Sequence, residues 1–424
     1  MAGLSKPREA ALRVLVAVEK DGAYLNIVLR DILSASDMDD RDKALSQAIA
    51  FGTVKNSVYL DNIIKNLSKI KLNKLSVWIH NILRMGIYCI KFMDRIPASA
   101  TVNECVRLAR RYGHGASAGF VNALLRNACK CGDFLPEDTS SPEYISIKYS
   151  YPLWLTKKWL SEGYTEDLFR SMNEEPPITV RLNTIKALSL PDEFVKSDFS
   201  PFSYEYKGSG SVENTPSFKN GHIAVQDGAS QIAVMALQVK KDMSILDLCS
   251  APGGKTGFIA QLLENTGEVV SCDIHSHKLP LIEANLSRLG ITNTKTVQND
   301  ATVFCSEFEN RFDRVICDVP CSGLGVLRRK PDIKWTKSDE DNLELVKIQR
   351  KIIDCAARYV KKGGILVYST CTINKKENEE NVKYLLDNYE EFSLLDDFKE
   401  TFGRQLLPHA DGTDGFFYAA FERK

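Results

Sequence analysis

Ile245-Leu246-Asp247-Leu248-Cys249-Ser250-Ala251-Pro252-Gly253-Gly254-Lys255-Thr256 is the stretch on which the fold turns. It begins as a short apolar run of the kind that forms a buried strand. It continues as a tight turn of small residues that leads into a helix. The alternation repeats downstream. Val269-Val270-Ser271-Cys272, Thr294-Lys295-Thr296-Val297, Arg314-Val315-Ile316-Cys317 and Gly364-Ile365-Leu366-Val367-Tyr368 read as further strands. A helix ending at Leu289 and a long helix over 339–360 lie between them. Phe416-Phe417-Tyr418-Ala419-Ala420-Phe421 closes the series as an apolar strand. Alternating strands and helices predict a parallel, doubly wound α/β sheet over 236–424, with its ligand at the carboxyl ends of the strands.

Upstream the rhythm differs. Apolar residues recur with a period near 3.6 at Ala11, Leu12, Val14, Leu15 and Val18, and again at Leu60, Ile63, Ile64 and Leu67. Residues 1–132 therefore read as an all-α domain. A Pro/Ser/acid-rich connector runs over 132–145. Residues 146–235 read as a small α+β module, with strands at Ile178–Leu182 and Ile223–Val225 and a helix from Gln231 to Leu237.

Composition narrows the class. Hydrophobic content is 44% and charged content 26%, which suits a globular protein. No apolar run reaches the roughly 18 residues that a membrane helix needs. Met1-Ala2-Gly3-Leu4-Ser5-Lys6 lacks the apolar core of a signal peptide, so a cytoplasmic location is expected. The 11 cysteines are scattered through apolar segments with no paired C-x-x-C sets, so neither a disulfide framework nor a metal site is expected. The net charge of zero hides an asymmetry: residues 1–135 carry 20 Lys/Arg against 12 Asp/Glu, and the remainder is acidic by the same margin. A basic front half suits a polyanionic partner.

Three readings of the 249–256 turn compete. A phosphate-binding loop would place a glycine five positions before Gly254, where Cys249 stands, and the dinucleotide fingerprint G-x-G-x-x-G is absent. A nucleoside-binding turn fits best, because small residues let the backbone approach a ligand at a helix N-terminus. Asp273 ends the second strand and can accept both hydroxyls of a ribose. Asp300 ends the third and can accept a hydrogen bond from an adenine amino group.

Two more strands deliver cysteines to the same rim: Cys317-Asp318-Val319-Pro320-Cys321 and Tyr368-Ser369-Thr370-Cys371. A thiolate adding to carbon 6 of cytosine makes carbon 5 nucleophilic enough to attack a sulfonium methyl group. A second thiol can assist release, and Asp318 can hold the ring edge. A cation such as Lys255 favours the thiolate form. The target base must leave its stack to reach such a pocket. The residues alone leave open which cysteine attacks.

The turn Cys249–Lys255, Asp318-Val319-Pro320-Cys321, Arg329-Lys330-Pro331-Asp332-Ile333-Lys334-Trp335 and Ser369-Thr370-Cys371-Thr372 resemble the motifs of RNA 5-methylcytosine methyltransferases. The whole chain is similar to the bacterial RsmB (Fmu/Sun) family, which acts on 16S ribosomal RNA. Ala10 to Lys130 resembles a NusB-like domain, including Ile96-Pro97-Ala98, Glu104 and Phe120-Val121-Asn122-Ala123-Leu124-Leu125-Arg126. The resemblance implies a Rossmann-like, seven-stranded class I methyltransferase domain behind a NusB-like RNA-binding domain and an RRM-like module. It implies S-adenosyl-L-methionine as cofactor, bound by Cys249, Ser250, Ala251, Pro252, Gly253, Gly254, Lys255, Asp273, Asp300 and Asp318. It implies Cys371 as nucleophile and Cys321 as the release thiol, assisted by Asp318 and Lys255. Ser250 and Val319 depart from the family, which often has alanine at both positions.

The expected partner is 16S ribosomal RNA, with no DNA and no membrane, and the expected state is a monomer. The basic run Arg328-Arg329-Lys330 with Lys334-Trp335 is expected to touch the RNA backbone, with Trp335 reading equally as a core residue or a stacking platform. Two alternatives stand beside this reading. One is the same chemistry on transfer RNA. The other is a non-catalytic NusB-like RNA-binding factor.

Overall fold

The computed structural model describes residues 5–336 and 339–424. Met1–Leu4, read above as lacking a signal-peptide core, lie outside the described residues. The chain divides into two compact units. One comprises residues 1–174 and 327–336; the other comprises 175–326 and 337–424.

The first unit is helical. Its helices run Lys6–Asp21, Leu25–Ser34, Asp40–Lys55, Ser57–Leu67, Val77–Phe92, Ala98–Tyr112 and Ser117–Ala128, followed by Pro142–Tyr149, Leu153–Ser161 and Glu166–Ser171. Local signals set the boundaries. Pro7 sits in the first turn of the opening helix, and Gly22 ends it in the left-handed conformation at φ 62°. Asp39 and Ser76 cap their helices by accepting from Asp42 N (2.7 Å) and Ile79 N (3.3 Å). The apolar stripes at Leu12, Leu15, Leu60, Ile63 and Ile64 meet in one core. Composition groups residues 146–171 with the small module. In the structure they pack with the helical unit instead, around the fully buried cluster Tyr151, Trp159 and Phe169, whose rings lie 5.3–5.6 Å apart.

The basic run beyond Cys321 corrects an expectation. Lys334 does not face solvent or RNA. It is 1% exposed, and its ammonium donates to Ser150 O (3.2 Å) and Asn173 Oδ1 (3.0 Å) over the Tyr151 ring. Burial, with Lys55 nearby, pushes its pKa well below the ordinary lysine range. Trp335 packs against the helical core and donates through Nε1 to Val54 O at 3.0 Å. Asp332 accepts from Leu25 N at 3.2 Å. The segment is a built part of the helical unit.

The second unit holds two sheets. The smaller is antiparallel in the order β2-β3-β1-β4: β1 (Thr179–Leu182), β2 (Phe194–Lys196), β3 (Ser203–Tyr206) and β4 (Ile223–Val225). The strands β2 and β3 are short and lie outside the sequence reading. The larger sheet contains β5 (Ser244–Asp247), β6 (Glu268–Asp273), β7 (Thr294–Gln298), β8 (Phe312–Asp318), β9 (Val360–Thr370), β10 (Phe392–Leu394), β11 (Arg404–Leu406) and β12 (Phe416–Arg423). Seven of these form the continuous order β7-β6-β5-β8-β9-β12-β10, and the three-residue β11 pairs with β12. The five strands from β7 to β9 are parallel, and β12 runs antiparallel to β9. This is the expected seven-stranded Rossmann-like architecture with a mixed sheet. Its central strands are apolar on both faces, as a sheet covered on both sides requires. The order reverses at β5, so the carboxyl ends of β5, β6 and β8 open a crevice.

Candidate active site

The strand β5 ends at Asp247, which is fully buried and accepts from Thr256 Oγ1 at 2.7 Å. Burial raises its carboxyl pKa to about 6, opposed by the Thr256 hydroxyl and Lys255. The bond ties the strand end to the helix Gly254–Leu262 and so fixes the span of the turn between them. Ser250 closes the turn from the other side: its N and Oγ both donate to Cys272 O, at 2.8 and 2.9 Å. Gly253 sits at φ 94°, and a Cβ there would lie 3.0 Å from Ile282 Cγ2. The glycine thus serves both the left-handed turn and the close packing behind it.

A cleft of about 280 Å³ opens at the strand ends. Leu248, Cys249 and Ala251 of the turn line it, with Asp273, Asp300 and Asp318 from the ends of three strands. Ser250, Pro252, Gly253 and Gly254 shape the turn without lining the cleft. Asp273 is 8% exposed and accepts from His275 N at 2.9 Å. Asp300 Oδ1 accepts from Thr302 N (2.9 Å) and Thr302 Oγ1 (2.7 Å), bonds that lower its pKa. Apolar walls from Ile274, Ala301, Pro320 and Ile352 complete the cleft. Acidic acceptors at the end of the second and third strands, set on an apolar slot, fit an adenosyl group.

Asp318 links this cleft to the two thiols. Its Oδ2 lies 2.5 Å from Lys255 Nζ, and its Oδ1 accepts from Ser369 Oγ at 3.0 Å. Burial draws the Lys255 pKa down, but Asp318 more than offsets it, with further support from Asp247 and Cys371; the net direction is up, and the ammonium keeps its charge. Pairing with β9 continues one residue past the end of β8, with Val319 N donating to Ser369 O at 3.0 Å. The next residues bring Cys321 Sγ within 3.3 Å of Cys371 Sγ. The contact with Cys371, burial, and the charge of Cys371 together push the Cys321 thiol well above its ordinary pKa. None of the cysteines is in a disulfide.

One group in this region escapes the sequence reading. Glu377 lies in the run Asn374-Lys375-Lys376-Glu377-Asn378-Glu379-Glu380, which reads as a solvated charged loop. In the fold it is fully buried and bonded to Ser322, the neighbour of Cys321. No periodicity in the run marks it.

Comparison with known proteins now has a geometry to stand on. Residues 234–422 match the family described as 16S rRNA methyltransferase RsmB/F, and residues 5–130 match the NusB family. Over 98% of both chains, this one is 35% identical to the "Probable ribosomal RNA small subunit methyltransferase B" of Bacillus subtilis (strain 168). The chain belongs to the RsmB/F family. A second relative, "Ribosomal RNA small subunit methyltransferase B" of Escherichia fergusonii, is 32% identical over 98% of both chains. The crystal structure of PH0851 superposes with a TM-score of 0.81 at 27% identity, covering 100% of both chains. The RsmB/F assignment makes this chain one of a family of S-adenosylmethionine-dependent 16S rRNA methyltransferases, with a NusB-like domain in front of the methyltransferase fold. Among the described residues, no helix is long and apolar enough to cross a membrane.

Proposed function

We propose that this RsmB/F-family chain methylates carbon 5 of a cytosine in 16S ribosomal RNA, with Cys371 as nucleophile. The observation that carries the reading is the pair of sulfurs 3.3 Å apart near the Lys255–Asp318 ion pair, whose Asp318 lines the cleft at the strand ends. A methyltransferase that attacks through an oxygen or nitrogen of its substrate needs no thiol there.

The order of the two thiols follows the family resemblance. Contact with Cys371 and burial raise the Cys321 thiol and keep it protonated. Lys255, kept cationic by Asp318, favours a thiolate beside it. Cys371 adds to carbon 6 of the base in its thiolate form. Asp318 accepts from the exocyclic amino group and holds the ring over the cleft rim. Asp273, Asp300 and Leu248, Cys249 and Ala251 of the turn would hold S-adenosylmethionine, which would supply an electrophilic methyl group. For release, the carbon 6–sulfur bond breaks. The Cys321 proton passes to the departing sulfur, and the Cys321 thiolate so formed takes the proton from carbon 5. The 3.3 Å contact is short enough for that transfer.

The test is a methyl-transfer assay on unmodified 16S RNA, transfer RNA and DNA in parallel, followed by nucleoside mass spectrometry. The expected product is 5-methylcytidine in 16S RNA alone. Methylation at another atom, or of transfer RNA only, would contradict the proposal.

A further inference from the structure

Glu377 is a fully buried carboxylate whose hydrogen-bond partners are all uncharged. Its Oε1 accepts from Ser322 Oγ (2.5 Å) and Asn374 Nδ2 (2.9 Å). Its Oε2 accepts from Ser322 N (2.9 Å) and Gln349 Nε2 (2.9 Å). Two donors on each oxygen fill the capacity of a carboxylate. Burying such a charge with no cation is costly unless every bond is made, so this arrangement tolerates little displacement.

The bonds converge on one place. Gln349 Nε2 also donates to Pro320 O at 3.0 Å, so both neighbours of Cys321 are held through Glu377. The next residue does the same for the other thiol. Asn378 Oδ1 accepts from Thr370 Oγ1 (2.6 Å), and Asn378 Nδ2 donates to Thr372 O (3.1 Å). Thr370 and Thr372 flank Cys371. A bond between Ser322 Oγ and Thr372 Oγ1 at 2.8 Å joins the two halves.

We propose that Glu377 and Asn378 are positioning residues that set the spacing of Cys321 and Cys371, Glu377 acting on the release thiol and Asn378 on the nucleophile. The assignment of those two roles rests on the function proposed above; the spacing itself does not. Their hydrogen bonds reach each cysteine through the chain on either side of it, and the charge of Glu377 also helps to raise the Cys321 thiol.

The Glu377→Gln variant tests this. Donors converge on both carboxylate oxygens, so an amide group meets Asn374 Nδ2 at one place or Ser322 N and Gln349 Nε2 at the other and must release at least one of them. The expected result is a kcat lower by about 100-fold with the KM for RNA unchanged, since a shift of about 1 Å has that effect. The two variants should also differ in kind. Glu377→Gln impairs release and should raise the fraction of protein covalently bound to RNA. Asn378→Ala impairs attack and should lower it. A merely structural role would move both fractions in the same direction.

Spacing can be read without RNA. Treatment with diamide closes neighbouring thiols into a disulfide, and the closure rate reports how often the sulfurs meet. Both variants should close at least about tenfold more slowly than the unaltered protein. Gln349→Met, which removes one of the four donors, should slow closure by a smaller factor and covers the case in which Glu377→Gln does not fold. Closure at the unaltered rate in the folded variants would overturn the proposal. The RNA adduct of the unaltered protein reports separately on Cys371 as nucleophile.

Discussion

Asp273 is the residue of the proposed cofactor site whose loss is simplest to read. Its carboxylate is nearly buried, ends β6, and has one oxygen committed to His275 N. Replacing it with alanine should remove a charge-assisted bond worth about 2 kcal/mol, or roughly thirtyfold in Kd for S-adenosylmethionine. Calorimetric titration of the folded variant checks this, and an unchanged Kd removes Asp273 from the site. Asp273, Asp300, Asp318 and the two rim cysteines were all legible in the sequence. All but Asp300 follow an apolar run, Asp300 following the polar strand Thr294–Gln298, and strand ends are local features. Glu377 was not. Its role arises from four donors on three residues, Ser322, Gln349 and Asn374, and the lysines and glutamates beside it in sequence give the run the composition of a surface loop.

At the scale of elements, the loops after β8 and β9 stand or fall together. Gly325 shows how close they are: its N donates to Cys371 O at 3.0 Å, and its carbonyl accepts from Gly415 N at 2.9 Å. A Cβ at Gly325 would lie 1.9 Å from Gly415 O and 2.8 Å from Cys371 O, both backbone atoms that cannot swing aside. Gly325→Ala should therefore destabilise the methyltransferase unit by roughly 1–3 kcal/mol, as overpacking does. It should also depress methyl transfer while leaving the Kd for S-adenosylmethionine near its original value. Denaturant unfolding and titration of the same preparation check both parts. The large sheet was readable because most of its parallel strands, β7 apart, are near-continuous apolar runs. The strands β2 and β3 were not, since three or four residues such as Phe194–Lys196 carry too short a pattern to separate from a loop.

At the scale of the whole molecule, the chain order and the folding units do not coincide. Residues 327–336 are encoded between two strands of the methyltransferase sheet, yet belong to the helical unit. The basic composition of that run suggested a surface facing RNA. Tertiary packing overrides composition at two of its residues, because Trp335 packs against the helical core and Lys334 finds carbonyl oxygens and an aromatic face. A fragment of residues 1–174 should thus be incomplete. Joined through a flexible linker to residues 327–336, it should melt at least roughly 5 °C higher than alone, a shift expected for one to two kcal/mol in a domain of this size. Equal melting temperatures would show that the segment adds nothing to the unit.

The central claim concerns one sulfur atom, and a trapped adduct addresses it directly. The Cys321→Ala variant, incubated with S-adenosylmethionine and unmodified 16S RNA, should stall with RNA attached. After nuclease and protease digestion, mass spectrometry should find a methylated cytidine on the peptide that contains Cys371. A nucleotide attached to any other residue, or an adduct that persists when Cys371 is also replaced by alanine, would contradict the account.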